Sequence, residues 1–244
     1  MRLQKSPLGI DVLAAARQRI SLVFDQFLHV YVAFSGGKDS SVLLDLTAEE
    51  ARRRGRRFGL LFIDLEAQYK TTIEHVQERF DALMDVVDPY WIALPLHLRN
   101  ASSQLQPYWI CWEPGQTWVR SPPKGAITDP TTFPWFRAGM EFEEFVGEFG
   151  AWYGKGDLSC GLIGIRCAES LDRWRALTRP KSMYQQLRWT TERSPTQYSA
   201  YPIYDWRTED IWTYNGRMGA PYNKIYDLMY QAGVSIHQAR ICQP

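Results

Sequence analysis

Six consecutive residues, Ser35-Gly36-Gly37-Lys38-Asp39-Ser40, combine two adjacent glycines with one cation, one carboxylate and two hydroxyls. The glycines permit positive φ and let a backbone approach a ligand closely. The apolar run from His29 to Phe34 reads as a strand entering this turn, and Val42, Leu43, Leu44 and Leu46 resume at helical spacing beyond it. Asp39 or Ser40 is expected to cap the new helix. The first N–H groups of a helix lack internal partners and carry the positive end of its dipole, so the turn is suited to an anion such as phosphate, with Lys38 adding a formal charge. A Walker A loop is excluded, because the four-residue gap before Gly-Lys is missing and Asp39 stands where Ser or Thr is required. A Rossmann fingerprint is excluded because Ser40 occupies the position of its third glycine. A plain tight turn is the alternative.

Other chemistry-bearing residues fall at strand ends. Phe58 to Leu65 is a second apolar run, bringing Asp64 and Glu66 to its carboxyl end. Ligands of open parallel sheets gather at that edge, so both acids are expected beside the glycine turn. Leu158 to Ile165 is a further strand that leads into Gly164, Arg166, Glu169, Arg173 and Arg175. A strand-end arginine there can hold phosphate charge through paired hydrogen bonds, and an Arg166–Glu169 ion pair is the structural alternative. Cys111, Cys160, Cys167 and Cys242 contain no C-x-x-C pair, which argues against a zinc ribbon or a clustered iron–sulfur site.

The elements that must position these groups alternate. Helices are expected over Asp11 to Phe27, Ser40 to Arg54 with Gly55 as its cap, Thr71 to Val87, and Met140 to Tyr153; a strand is expected over Tyr90 to Leu96. This is the pattern of an α/β doubly wound, mostly parallel sheet with helices on both faces, in a single domain over 1–244. An irregular proline- and tryptophan-rich insertion spans about 97–140 and could serve as a lid, a substrate platform or a docking surface. Residues 179–196 are polar and are expected to be mobile near the site; Thr208 is expected to cap a helix, and Tyr222 to Gly233 to form another.

Net charge is +1 and hydrophobic content 45%, so no global attraction to nucleic acid or anionic membrane is expected. The dense cluster Arg52, Arg53, Arg54, Arg56 and Arg57 reads either as a solvated helix end or as a nucleic-acid contact. The amino terminus has no long apolar core, so neither a signal peptide nor a membrane span is expected, and cytoplasm is the default.

The hexapeptide Ser35 to Ser40 resembles the pyrophosphate-binding loop of the ATP pyrophosphatase (PP-loop) superfamily, which includes phosphoadenylylsulfate (PAPS) reductases and tRNA-thiolation enzymes. Gly164-Ile165-Arg166, with Glu169, Ser170 and Arg173, resembles the second region of the PAPS reductase branch. Pro202-Ile203-Tyr204-Asp205-Trp206 through Trp212, and Tyr222-Asn223 with Tyr226, resemble further blocks of it. The details are closest to the immunoglobulin-binding-regulator A-like branch. The resemblance implies an adenine nucleotide alpha hydrolase-like fold. It also implies binding of ATP, with Ser35, Gly36, Gly37, Asp39 and Ser40 cradling pyrophosphate, Lys38 and Arg166 neutralising it, and Asp64 and Glu66 near the nucleoside. Gly164, Glu169 and Arg173 complete the implied nucleotide-binding set, with Mg2+ on the phosphates and Asp39 as its nearest ligand. The implied reaction cleaves ATP between the α and β phosphates to adenylate an acceptor. Sulfonucleotide reduction is the alternative, and it requires a thiolate. Cys242 is set in Arg240-Ile241-Cys242-Gln243-Pro244 and lacks the E-C-G-[IL]-H context of such nucleophiles. A regulatory nucleotide-binding module without turnover is the third.

Overall fold

A computed structural model describes residues 9–100, 105–178 and 182–241. Its main sheet has six strands: β1 (His29–Ala33), β2 (Phe58–Ile63), β3 (Val87–Ile92), β6 (Ser159–Ile163), β7 (Thr190–Ser194) and β8 (Gln197–Ala200). Their spatial order is β3-β2-β1-β6-β8-β7, parallel throughout except for the β7–β8 hairpin at one edge. The chain winds outward from β1 to β3 and then returns to build the other half from β6. The carboxyl ends of β1 and β6 therefore flank the point where the winding reverses, which is where a doubly wound sheet opens a crevice.

The period-2 alternation of strand side chains divides the core in two. Val30, Val32, Phe58, Leu60, Phe62 and Leu162 face α1 (Val12–Gln26), α2 (Lys38–Arg54), α3 (Lys70–Ala82) and α6 (Thr208–Met218). Tyr31, Leu61 and Ile63 face α4 (Phe142–Tyr153) together with the insertion, whose Trp112, Phe133 and Met140 are buried there. The insertion is thus half of the second core. It contains a small antiparallel pair, β4 (His97–Arg99) with β5 (Tyr108–Ile110), and it joins the main sheet through an Ile92–Ile127 bridge.

Several boundaries differ from the sequence reading. The strand expected at Tyr90 begins at Val87, and the preceding helix ends at Ala82. Pro89 is tolerated inside β3 because β3 is an edge strand, where a missing N–H faces away from the ladder. The segment expected to be mobile contains β7, hydrogen-bonded to β8; its polar Thr-Thr-Glu-Arg-Ser sequence suits an edge and carries no apolar alternation to betray it. Arg179 and Lys181 of that segment, and Cys242, lie outside the described residues. Arg207, not Thr208, is the cap of α6, its N–H bonded to Asp210 at 2.7 Å. The last helix, α7, is Ile225–Gln231; α5 is Leu171–Thr178.

The arginine cluster is used internally. Arg52 pairs with Asp85, Arg53 and Arg54 with Glu50, Arg54 also with Asp25, and Arg57 with Asp88, while Arg56 donates to the carbonyls of Phe24 in the last turn of α1 and of Phe27 and Leu28 just beyond it. Asp205 likewise pairs with Arg19 of α1 at 2.7–2.8 Å. Among the described residues, no helix is long and apolar enough to cross a membrane.

Candidate functional site

The turn between β1 and α2 is held from three sides. Gly36 has φ +72°, and a Cβ there would stand 2.8 Å from Thr72 Cγ2, so both the backbone angle and the space demand glycine. Gly37 is the residue that caps α2, not Asp39 or Ser40. Ser40 instead ties the turn to itself: its hydroxyl lies 3.0 Å from Ser35 Oγ and donates to the Gly37 carbonyl at 3.1 Å. Asn223, fully buried, donates from Nδ2 to the Gly36 carbonyl and to Thr72 Oγ1, and Tyr226 accepts the Lys38 N–H at 3.2 Å. Across the crevice Gly164 lies against the start of α2, where a Cβ would meet Ser40 Cα and N at 3.0 Å.

Behind the turn Ser41 Oγ donates to the Gly37 carbonyl and contacts His75 Nε2 at 2.8 Å. Burial pushes the His75 imidazole down to about 4, with Arg79 and Lys224 acting in the same direction. Because the folded pKa lies below the ordinary value of 6.5, the folded protein binds fewer protons than the unfolded chain between these values. Stability is accordingly complete above pH 6.5 and falls as pH drops toward 4, by roughly 3 kcal/mol at most. Urea midpoints measured across this window in wild type and His75→Gln check this; the expected result is a flatter profile in the variant.

The crevice above the turn is a cavity of about 450 Å³. One wall is apolar, from Leu61, Ile63, Phe142, Val146 and Ile163. The floor and opposite wall carry Ser35, Gly37, Lys38, Asp39, Ser40, Glu169, Arg173 and Arg240. Arg166 lies behind this surface, 2% exposed, and grips Asp39 with Nε to Oδ1 at 2.7 Å and a second nitrogen to Oδ2 at 3.3 Å. The Arg166–Glu169 pair considered from the sequence does not form; Glu169 pairs with Arg173, one helical turn away. Lys38 is 3% exposed, donates from Nζ to the Ala239 carbonyl at 2.9 Å and lies 5.1 Å over the Tyr226 ring. Burial pushes the Lys38 ammonium pKa down, Asp39 opposes this, and Arg166, Arg240 and Arg173 add to the lowering. Arg173 is lowered by burial too.

Asp64 and Glu66 reach the expected sheet edge but do not line the cavity. Asp64 accepts from the Glu66 N–H, from Trp91 Nε1 and from Arg120. Glu66, in the left-handed region at φ 64°, accepts from the backbone N–H groups of Trp112 and Val119 at 2.9 and 3.0 Å. The two acids fasten the insertion to the end of β2. Arg240, Tyr226 and Asn223 are site residues that motif spacing did not single out as such. Arg240 arrives because residues 235–241 fold back over α2, its guanidinium bonded to the Glu169 carbonyl. The Tyr222-Asn223 block held the only signal for the other two.

Both Asp39 oxygens accept from Arg166, Glu169 is paired with Arg173, and Asp64 and Glu66 are committed elsewhere. Among the described residues, no group of three or more His, Cys, Asp or Glu side chains is placed to hold a metal. The residues present do not fit a magnesium ion ligated by the protein.

The phosphoadenosine phosphosulfate reductase domain model matches residues 29–89 and 162–232. Uncharacterized protein YbdN of Escherichia coli (strain K12) is 45% identical over 249 residues, covering 100% of this chain and 61% of that protein. Uncharacterized protein MJ0066 of Methanocaldococcus jannaschii is 28% identical over 200 residues, 81% of this chain and 33% of that one. The chain thus spans under two thirds of the length of either relative. Among solved structures, phosphoadenylyl-sulfate (PAPS) reductase from Candida auris superposes with a TM-score of 0.47 at 15% identity, covering 88% of this chain and 84% of that one. The matched stretches contain the glycine turn, Gly164 to Arg173 and Asn223 to Tyr226, and omit the insertion that closes the second core. On that match, the chain belongs to the phosphoadenosine phosphosulfate reductase domain family.

Proposed function

We propose that the chain is an ATP-binding PP-loop enzyme that cleaves ATP between its α and β phosphates, transferring the adenylyl group to an acceptor and releasing pyrophosphate. The observation that supports this reading is the two-sided cavity, which sets a cationic floor of Lys38, Arg173 and Arg240 against an apolar wall of Leu61, Ile63, Phe142 and Val146. A triphosphate suits the first and a purine the second. In the step, a nucleophilic oxygen of the acceptor bonds to the α-phosphorus as the bond to the α–β bridging oxygen breaks. The electron pair leaves with pyrophosphate and the acceptor proton passes to solvent. The cations meet the charge that develops on the leaving group, so the protein contributes position and electrostatics and no nucleophile.

Sulfonucleotide reduction is the second reading, favoured by the family match. It needs a thiolate in the cavity. Cys111 and Cys160 are fully buried, and burial pushes the Cys111 thiol up to about 12 and the Cys160 thiol up as well. Neither is a nucleophile at neutral pH, which leaves that reading to the half-buried Cys167 and to Cys242. Incubation with α-labelled ATP and candidate acceptors separates the readings. Adenylated product or AMP, with pyrophosphate, is the expected result. ATP bound and recovered intact would favour a regulatory module, and sulfite released from PAPS and lost in Cys242→Ser would favour the reductase.

A further inference from the structure

The cavity carries more positive charge than any of its carboxylates offsets. Lys38, Arg166, Arg173 and Arg240 are close enough for each of the three arginines to depress the Lys38 ammonium, and only Asp39 and Glu169 stand among them. Both acids are spent on arginines. Asp39 has Arg166 across its two oxygens, with the Lys38 ammonium 3.9 Å from Oδ2; Glu169 has Arg173. Magnesium prefers near-octahedral oxygen ligands and is commonly held through one or two free carboxylates. To ligate Asp39 here it would have to enter a field set by four cations and displace Arg166 from its carboxylate. Arg166 is 2% exposed, and its other side-chain contact is Thr208 Oγ1 at 3.5 Å, so it has no second carboxylate to turn to among the described residues.

We propose that the arginine and lysine side chains of this cavity replace a protein-held metal, so that the site binds a polyphosphate nucleotide without requiring a metal ion. Asp39 is then a positioning residue: it orders the buried Arg166 and sets the direction of the cluster, and it ligates no ion. Arg173 and Arg240, one from α5 and one from the folded-back 235–241 segment, both reach the cavity beside Glu169, whose carboxylate pairs with Arg173 and whose carbonyl accepts from Arg240. This inference rests on the nucleotide reading above, and its test keeps the two apart.

The probe is α,β-methylene ATP, whose α–β linkage resists the proposed cleavage, titrated calorimetrically into the wild-type chain in EDTA and in excess magnesium chloride. The expected dissociation constants agree within about threefold. Binding weaker by about tenfold or more in EDTA overturns the metal-free assignment and leaves nucleotide binding standing. No binding under either condition overturns both. Asp39→Asn supplies an independent arm: removing one negative charge from the cluster is expected to hold or raise the affinity in EDTA, provided circular dichroism shows the native fold. A fall of about tenfold that appears only in magnesium would identify Asp39 as a metal ligand after all. Wild-type titration with magnesium chloride alone is expected to show no saturable heat.

Discussion

Replacing Lys38 with methionine is expected to lower the affinity for ATP by about 10- to 100-fold and to leave the urea midpoint nearly unchanged. The magnitude follows from one charge-assisted hydrogen bond, about 1.5–3 kcal/mol, at about 1.4 kcal/mol per factor of ten. Methionine is the informative substitution because it keeps an unbranched stem against the Tyr226 ring and deletes only the ammonium, whose present partners are the Ala239 carbonyl, that ring and, at 3.9 Å, Asp39 Oδ2. In the folded chain Lys38 is closed over by the segment that brings Arg240 to the cavity, so on the proposed reading a phosphate would take the place of the Ala239 carbonyl at Nζ. Calorimetric titration reads the affinity and urea unfolding the stability. ATP binding by Lys38→Met at wild-type strength would remove Lys38 from the site.

Arg166→Ala acts on stability first. The guanidinium is 2% exposed and spans both oxygens of Asp39, itself 8% exposed, so its removal strands a carboxylate in a poorly solvated place. Breaking such a pair by deleting one partner typically costs about 3–5 kcal/mol. Asp39→Ala alone is expected to be costly for the mirror-image reason, and the double variant to recover most of the loss, because the buried charge goes with its partner. A double-mutant cycle by urea unfolding measures the coupling. If the two losses simply add, the pair is not the unit that the geometry indicates. ATP affinity of the folded double variant then reports how much Arg166 contributes to the cavity through space.

The glycine turn was legible because its requirements are local. Strand, positive φ at Gly36 and helix follow one another within a dozen residues, and each is written in residue type. Arg166 was legible because a strand that ends in Gly-x-Arg delivers its arginine to a known edge of a parallel sheet. The caps were less so: Asp39 and Ser40 are good capping types, yet Gly37 takes the position and their side chains turn to Arg166 and Ser35. Strand β7 was hidden by its polarity, since an edge strand has little apolar pattern to display.

By itself, then, the sequence determined an α/β sheet with an anion-binding turn at a strand end, the arginine that arrives beside it, and the absence of paired cysteines. Only the tertiary structure decided the use of the charges. Asp64 and Glu66 sit at the right edge, but the insertion supplies N–H donors and Arg120, which claim them. Asp39 is claimed by Arg166, 127 residues away, and Arg240 enters the cavity because the chain folds back over Lys38. Spacing along a chain states which groups can reach an edge. Which of them remain free to meet a ligand depends on long-range pairing, because a buried charge takes the nearest opposite charge that packing brings to it.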